Sequence, residues 1–111
     1  MKYRESEKNG VVILHLKGDL LGGSDITEFK EKIKSILDAG KKNILIDMSD
    51  VTYVNSSGIG MLISGLTTVV QAGGKFKLCN IEKNIKNVFV ITNLVKVFDT
   101  FNSIDEALAS F

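Results

Sequence analysis

Apolar and polar positions recur along this chain in two periods, and the switches between them mark out its elements. Val11–Lys17 (VVILHLK) is dense in β-branched and large apolar residues and reads as a strand. Lys2–Glu7 alternates more weakly and reads as an edge strand. Gly18–Gly23 contains Gly18, Gly22 and Gly23 and reads as a loop. From Ser24 the period lengthens. Ile26, Phe29, Ile33, Ile36 and Leu37 fall on one helical face, and Lys30, Glu31, Lys32, Lys34 and Asp38 on the other. Ser24 is suited to cap the start of this helix, and Gly40 its end. Asn43–Met48 holds the unbroken run Ile44, Leu45 and Ile46, the pattern of a central strand buried on both faces. A loop with Asp50 and Tyr53 leads to a second helix, from near Ser56 to Gly73 and Gly74. Lys75–Cys79 reads as a third central strand, Glu82–Ile91 as a short helix and Val97–Phe101 as an edge strand. Ser103 caps a last helix, Ile104–Ser110, with Asp105 and Glu106 in its first turn.

Strands alternating with helices predict an α/β fold. The expected architecture is a mixed, mostly parallel central sheet of about five strands with about four helices. Without a proline, a repeat or a low-complexity tract, residues 1–111 read as one domain. Val51–Gly74 is free of charge and as long as a membrane span of ~20 residues. Asn55, Ser56, Ser57, Ser64, Thr67, Thr68, Gln71 and several glycines interrupt it, so no membrane insertion is expected. Met1–Gly10 has no apolar leader, and the chain is expected to be cytoplasmic.

Composition narrows the chemistry. Fourteen Lys and Arg against 13 Asp and Glu give a net charge of +1, which provides no general attraction to nucleic acid. A single Cys and a single His exclude an intrachain disulfide, a cysteine metal site and an all-histidine zinc site. G-x-S-x-G is absent around Ser56, as are the Gly-rich phosphate loops, so no catalytic activity, metal or cofactor is expected. His15 lies mid-strand without a visible partner and reads as a filler. Cys79 reads as a small buried hydrophobe. Asp47 sits at a strand end like a receiver phosphoacceptor but lacks the acidic pair that would hold Mg²⁺. Lys75, Lys77, Lys83 and Lys86 read as solubilising surface charge.

The second helix is the informative one. It opens N-S-S-G-I-G, three polar residues that satisfy open N–H groups followed by Gly58 and Gly60, which cost ~1 kcal/mol each relative to Ala. Such a start stays bare for close approach. Ile59, Leu62, Ile63, Leu66, Val69 and Val70 form its core stripe. Ser57, Met61, Ser64, Gly65 and Thr68 lie away from that stripe and carry no charge, as at the core of a protein contact surface. A phosphate on Ser56 or Ser57 would gain ~0.3–1 kcal/mol from the helix start. It would also bring about −1.5 to −2 charges into the docking face. Desolvating such a dianion costs several kcal/mol, whereas losing one serine hydrogen bond costs ~0.5–1.5 kcal/mol. Only the former moves binding ~10³-fold, which takes about 4 kcal/mol.

The string D-M-S-D-V-T-Y-V-N-S-S-G-I-G resembles the signature of STAS domains, the sulfate transporter and anti-sigma factor antagonist family. The closing run I-T-N-L-V-K-V-F-D-T-F is similar to the family's usual end, and the resemblance spans nearly the whole chain. It implies a stand-alone bacterial antagonist that binds an anti-sigma factor with serine kinase activity and releases a sigma factor. The kinase would phosphorylate a serine at the start of the second helix, and a metal-dependent serine phosphatase would reverse this. Carried over, the acceptor is Ser56, with Ser57 as the alternative. The implied partner-binding residues are Asp19, Asn55, Ser56, Ser57, Gly58, Gly60, Met61, Ser64 and Thr68. Two positions depart from the family pattern: Asn55 and Leu21 stand where acidic residues are usual. The alternative function is a STAS docking subunit of a transporter or signalling complex that is never phosphorylated.

Overall fold

The two most apolar strands lie side by side in the middle of a five-stranded sheet. In the computed structural model, which describes residues 1–91, 93 and 96–111 (for residues 88, 90 and 91 the backbone alone), the order is β1 (Lys2–Lys8), β2 (Val11–Leu20), α1 (Ser24–Asp38), β3 (Asn43–Val54), α2 (Ser56–Gln71), β4 (Lys75–Cys79), α3 (Lys83–Ile91), β5 (Asp99–Phe101) and α4 (Ile104–Ala109). The strands lie in the order β1-β2-β3-β4-β5. β1 is antiparallel to β2, and every other neighbouring pair is parallel. Parallel neighbours joined by right-handed crossovers place their helices on one face of the sheet. Leu14, Leu16, Ile44, Ile46, Phe76 and Leu78 pack there with Phe29 and Ile33 of α1, Leu62 and Val69 of α2 and Phe89 of α3. On the opposite face, Ala107 and Leu108 of α4 cover Val11, Ile13, Leu45 and Cys79. No helix among the described residues is long and apolar enough to cross a membrane.

Both central strands run beyond their apolar runs. β2 continues through Gly18, at φ +83°, to Leu20, and β3 through the expected loop to Val54. Their pairing is irregular at His15/Lys17 and at Gly18/Asp19, which lets strands of different local length stay in register. Buried Val51 and Val54 hold this extension down, while Asp50 and Tyr53 stay outside. The last strand is shorter than expected, three residues from Asp99, and residues 92, 94 and 95 of the closing run lie outside the described residues.

Two helix ends follow the sequence and one does not. The Gly40 N–H bonds the Leu37 carbonyl at 3.0 Å and the Lys41 N–H the Ile36 carbonyl at 3.2 Å, a left-handed glycine closure. Ser103 accepts from the Glu106 N–H at 3.1 Å and caps α4. Ser24 does not cap α1. Gly23 holds that position without a side-chain bond, and the first N–H groups turn back to the Gly22 and Gly23 carbonyls.

Two further expectations change with packing. Lys77 is buried rather than solubilising. Its ammonium donates to the Ser110 carbonyl and hydroxyl, both at 2.9 Å, and lies 4.9 Å from the Phe111 ring centroid, so it pins the end of the chain to the sheet. His15 has partners on two sides. Its Nδ1 lies 2.7 Å from Asp47 Oδ2 and its Nε2 2.9 Å from Ser6 Oγ. Cys79 is buried as expected. Burial, with the Asp47 charge adding to it, pushes its thiol up to about 12, which leaves it unreactive.

Asp47 is 5% exposed and accepts from the Asn80 amide at 3.0 Å and the Ser49 N–H at 3.1 Å, besides facing His15. Burial alone would raise its pKa. The bonds from Asn80, His15 and Ser49 outweigh that and hold it below the ordinary value of an aspartate carboxyl. A depressed carboxyl stabilises the fold above its unfolded pKa, and this contribution disappears as pH falls through the folded value. Asp47→Asn is therefore expected to cost about 1.5–3 kcal/mol at pH 7. Urea unfolding across pH 7 to 3 should show the gap to wild type closing only below about pH 4.

Candidate functional site

The start of α2 is built by one close approach. Gly58 sits so near the end of β2 that a methyl group there would run into the Leu20 carbonyl. Asn55 closes the junction. Its N–H donates to the Leu20 carbonyl at 3.2 Å, its Oδ1 accepts from the Gly58 N–H at 2.8 Å, and its Nδ2 donates to the Leu21 carbonyl at 3.0 Å. The cap of α2 is thus Asn55 alone. Ser56 and Ser57 are its first two helical residues, both exposed, and neither hydroxyl is used in capping. The open N–H groups of a first helical turn and the helix dipole favour an anion beside them.

Gly22, at φ +81°, lies against Ser57, and a side chain at Gly22 would meet both the Ser57 Cβ and Ile26. This brings the 21–26 segment to the edge of the serines. Asp19 is exposed at the end of β2, and its Oδ1 accepts from the Thr52 hydroxyl at 2.8 Å. Three large apolar side chains stand in solvent around the junction: Tyr53 at 54% exposure, Leu21 at 49% and Ile26 at 41%. Ile26 thus leaves the core face that its spacing predicts. Leu21 and Tyr53 are not among the expected contact residues, although each is a large apolar side chain in a segment that reads as a loop.

The structure divides the expected contact residues. Asp19, Ser56, Ser57, Gly60 and Ser64 are exposed, with Asn55 and Thr68 half-buried among them. Gly58 and Met61 are not available. Gly58 is buried under Leu20, and Met61 belongs to the core. The neutral side of α2 is in part the seat of α1: a methyl on Gly65 would stand 2.7 Å from the Phe29 ring and 3.1 Å from that of Phe76. Small residues are there for helix contact. What remains open is a shallow groove between the two helices, lined by Ile26, Lys30, Ser64 and Thr68 above Phe29 and Met61. Val70, expected in the core stripe, faces solvent. Among the described residues no group of three acidic, Cys or His side chains is placed to hold a metal.

A model of the STAS domain matches residues 3–107. The anti-sigma-B factor antagonist of Bacillus subtilis is 30% identical over 70 residues, 63% of each chain. The crystal structure of TM1081 from Thermotoga maritima superposes with a TM-score of 0.87 at 25% identity, covering 97% of this chain and 92% of that one. The Bacillus protein SpoIIAA in its phosphorylated form shares the fold, with a TM-score of 0.74 at 18% identity over 98% of both chains.

Two substitutions test the junction. Asn55→Ala removes the cap and the tie to Leu21 and is expected to destabilise by about 1–2 kcal/mol in urea unfolding. Asn55→Asp keeps the cap but turns a donor into an acceptor facing the Leu21 carbonyl. It should fall between Ala and wild type, because the charge at the helix start returns ~0.3–1 kcal/mol. Gly65→Ala is expected to cost about 1–3 kcal/mol by the same measurement, through overpacking against Phe29.

Proposed function

The chain belongs to the STAS domain family, and on that premise we propose that it is a cytoplasmic anti-sigma factor antagonist switched by phosphorylation of Ser56. Its partner would be an anti-sigma factor with serine kinase activity, docked on the exposed surface around the start of α2. Binding would release a sigma factor, and a metal-dependent serine phosphatase would restore the free form. The name of the B. subtilis relative supports the regulatory class. A related fold is known in a phosphorylated form, which supports the chemistry.

The observation that carries the reading is the division of labour between Asn55 and Ser56. Asn55 accepts from the Gly58 N–H and caps the helix. Ser56 is exposed as the first helical residue, with a hydroxyl the fold does not need. Modifying it would leave the fold intact and change only the surface. That surface combines Leu21, Ile26 and Tyr53 with uncharged Gly60 and Ser64. Apolar side chains beside small polar ones suit a desolvated contact, and a dianion set among them would oppose desolvation.

The alternative, a docking subunit that is never phosphorylated, rests on Asn55. Its amide nitrogen is engaged by the Leu21 carbonyl, a bond that an acidic residue at this position could not donate.

Incubation with the cognate anti-sigma factor and ATP, followed by intact mass and peptide mapping, separates the two. The expected result is an addition of about 80 Da on Ser56, absent in Ser56→Ala. In titration, Ser56→Ala should bind like wild type, and Ser56→Asp should lose at least about 10²-fold. Phosphate on Ser57 would move the site by one residue. Binding without any phosphate, with Ser56→Asp unaffected, would replace the switch by the docking subunit.

A further inference from the structure

β1 sorts its charges by face. Glu5 and Glu7 pair with Leu14 and Val12 on the side of the helices, where Lys32 and Lys41 reach them. Lys2 and Arg4 point to the other side, since directly paired residues share a face. Their partners there are Lys17 for Lys2 and His15 for Arg4. Two lysines thus stand directly opposite one another, with an arginine one pair along. Like charges in that position are destabilising. Among the described residues none of the three has an ion-pair partner within 4 Å.

Lys2, Arg4, His15 and Lys17, with Tyr3 and Asp50, line a cavity of about 270 Å³. No residue of α4 lines it. Among the lining residues Asp50, the cross-strand partner of Lys17, offsets one of the three cations, which leaves two positive charges there; Asp47, held by His15, is not among the lining residues. The His15 ring in the lining is held by Asp47 at 2.7 Å and Ser6 at 2.9 Å, so its orientation is set before any ligand arrives. Two uncompensated charges, a planar guanidinium and a cleft of this size match a compact, doubly charged oxyanion.

We propose that this cleft between β1 and β2 is a binding site for a phosphate dianion, free or carried as a monoester on a small molecule, held by Lys2, Arg4 and Lys17. The ligand would relieve the like-charge contact between Lys2 and Lys17. The site lies on the sheet face opposite α1 and α2 and is independent of the docking reading.

The test is an NMR titration of ¹⁵N-labelled protein at constant ionic strength with inorganic phosphate, glycerol 3-phosphate and acetate. Saturable shifts at Lys2, Arg4, His15 and Lys17 with both phosphates, but not with acetate, are the expected result. Tighter binding of glycerol 3-phosphate would identify the carried monoester, and equal or weaker binding the free ion. Arg4→Gln, at an exposed position, should weaken binding at least about tenfold. Lys2→Gln supplies a readout that does not depend on the ligand. It should raise the melting temperature in phosphate-free buffer by about 1–2 °C and abolish any further rise on adding phosphate. Shifts centred on Ser56–Gly58 would place the anion at the start of α2 and overturn the cleft. So would the absence of saturation, or acetate binding as well as phosphate.

Discussion

The constraint on which the site depends is the contact between the backbone of Gly58 and the carbonyl of Leu20. No side chain fits between them. With Gly58 seated there, the first turn of α2 is held against the end of β2, and the hydrogen bonds of Asn55 to Leu20, Leu21 and Gly58 lock it at three points. A helix start normally engages its own polar residues in capping. Here one residue does all of that work, and the two serines after it are left to solvent. Gly22 packs against Ser57, which brings Leu21 and, in the first turn of α1, Ile26 to the rim. The exposure of Ser56 is thus a consequence of packing beneath it.

The sheet has two unlike faces. Three helices cover one of them with a continuous apolar layer. The other carries α4 over β3–β5 and the Val11–Ile13 end of β2, and leaves the end of the β1–β2 pair with Lys2, Arg4, His15 and Lys17 to polar groups. Between these regions stands Asp47, ionised and nearly buried, with Asn80, His15 and Ser49 around it. A charge in that place is tolerable because its acceptor positions are filled. It also orients His15 and through it Ser6, so the polar half of the face is ordered from within. Lys77 does the corresponding work beneath α4, its ammonium spent on the Ser110 carbonyl and hydroxyl.

Much of this was legible in the order of residues. The alternation of periods set the element order, the mixed sheet and the helix ends at Gly40 and Ser103, because these depend on local preference and on which side of an element is apolar. The STAS resemblance followed from the strand–loop–helix string, and residues 3–107 match that family. Where local reading failed, partners distant in sequence had decided the matter. Asp50 and Tyr53 look like loop residues, yet pairing with Lys17 and Asp19 draws them into β3. Met61 falls on the side of α2 that reads as open, yet the fold buries it.

By itself the sequence determined the fold class, the buried stripes of the strands and the presence of a neutral helix that begins with serines. Tertiary structure alone decided which small residues of α2 serve contact inside the protein and which remain exposed. Gly58 and Gly65 differ from Gly60 only in what stands opposite them. It also paired His15 with Asp47 and set Lys2 against Lys17, positions 32 and 15 residues apart along the chain. Periodicity reports which way a side chain points, and it contains no information about the identity of the group it will meet there.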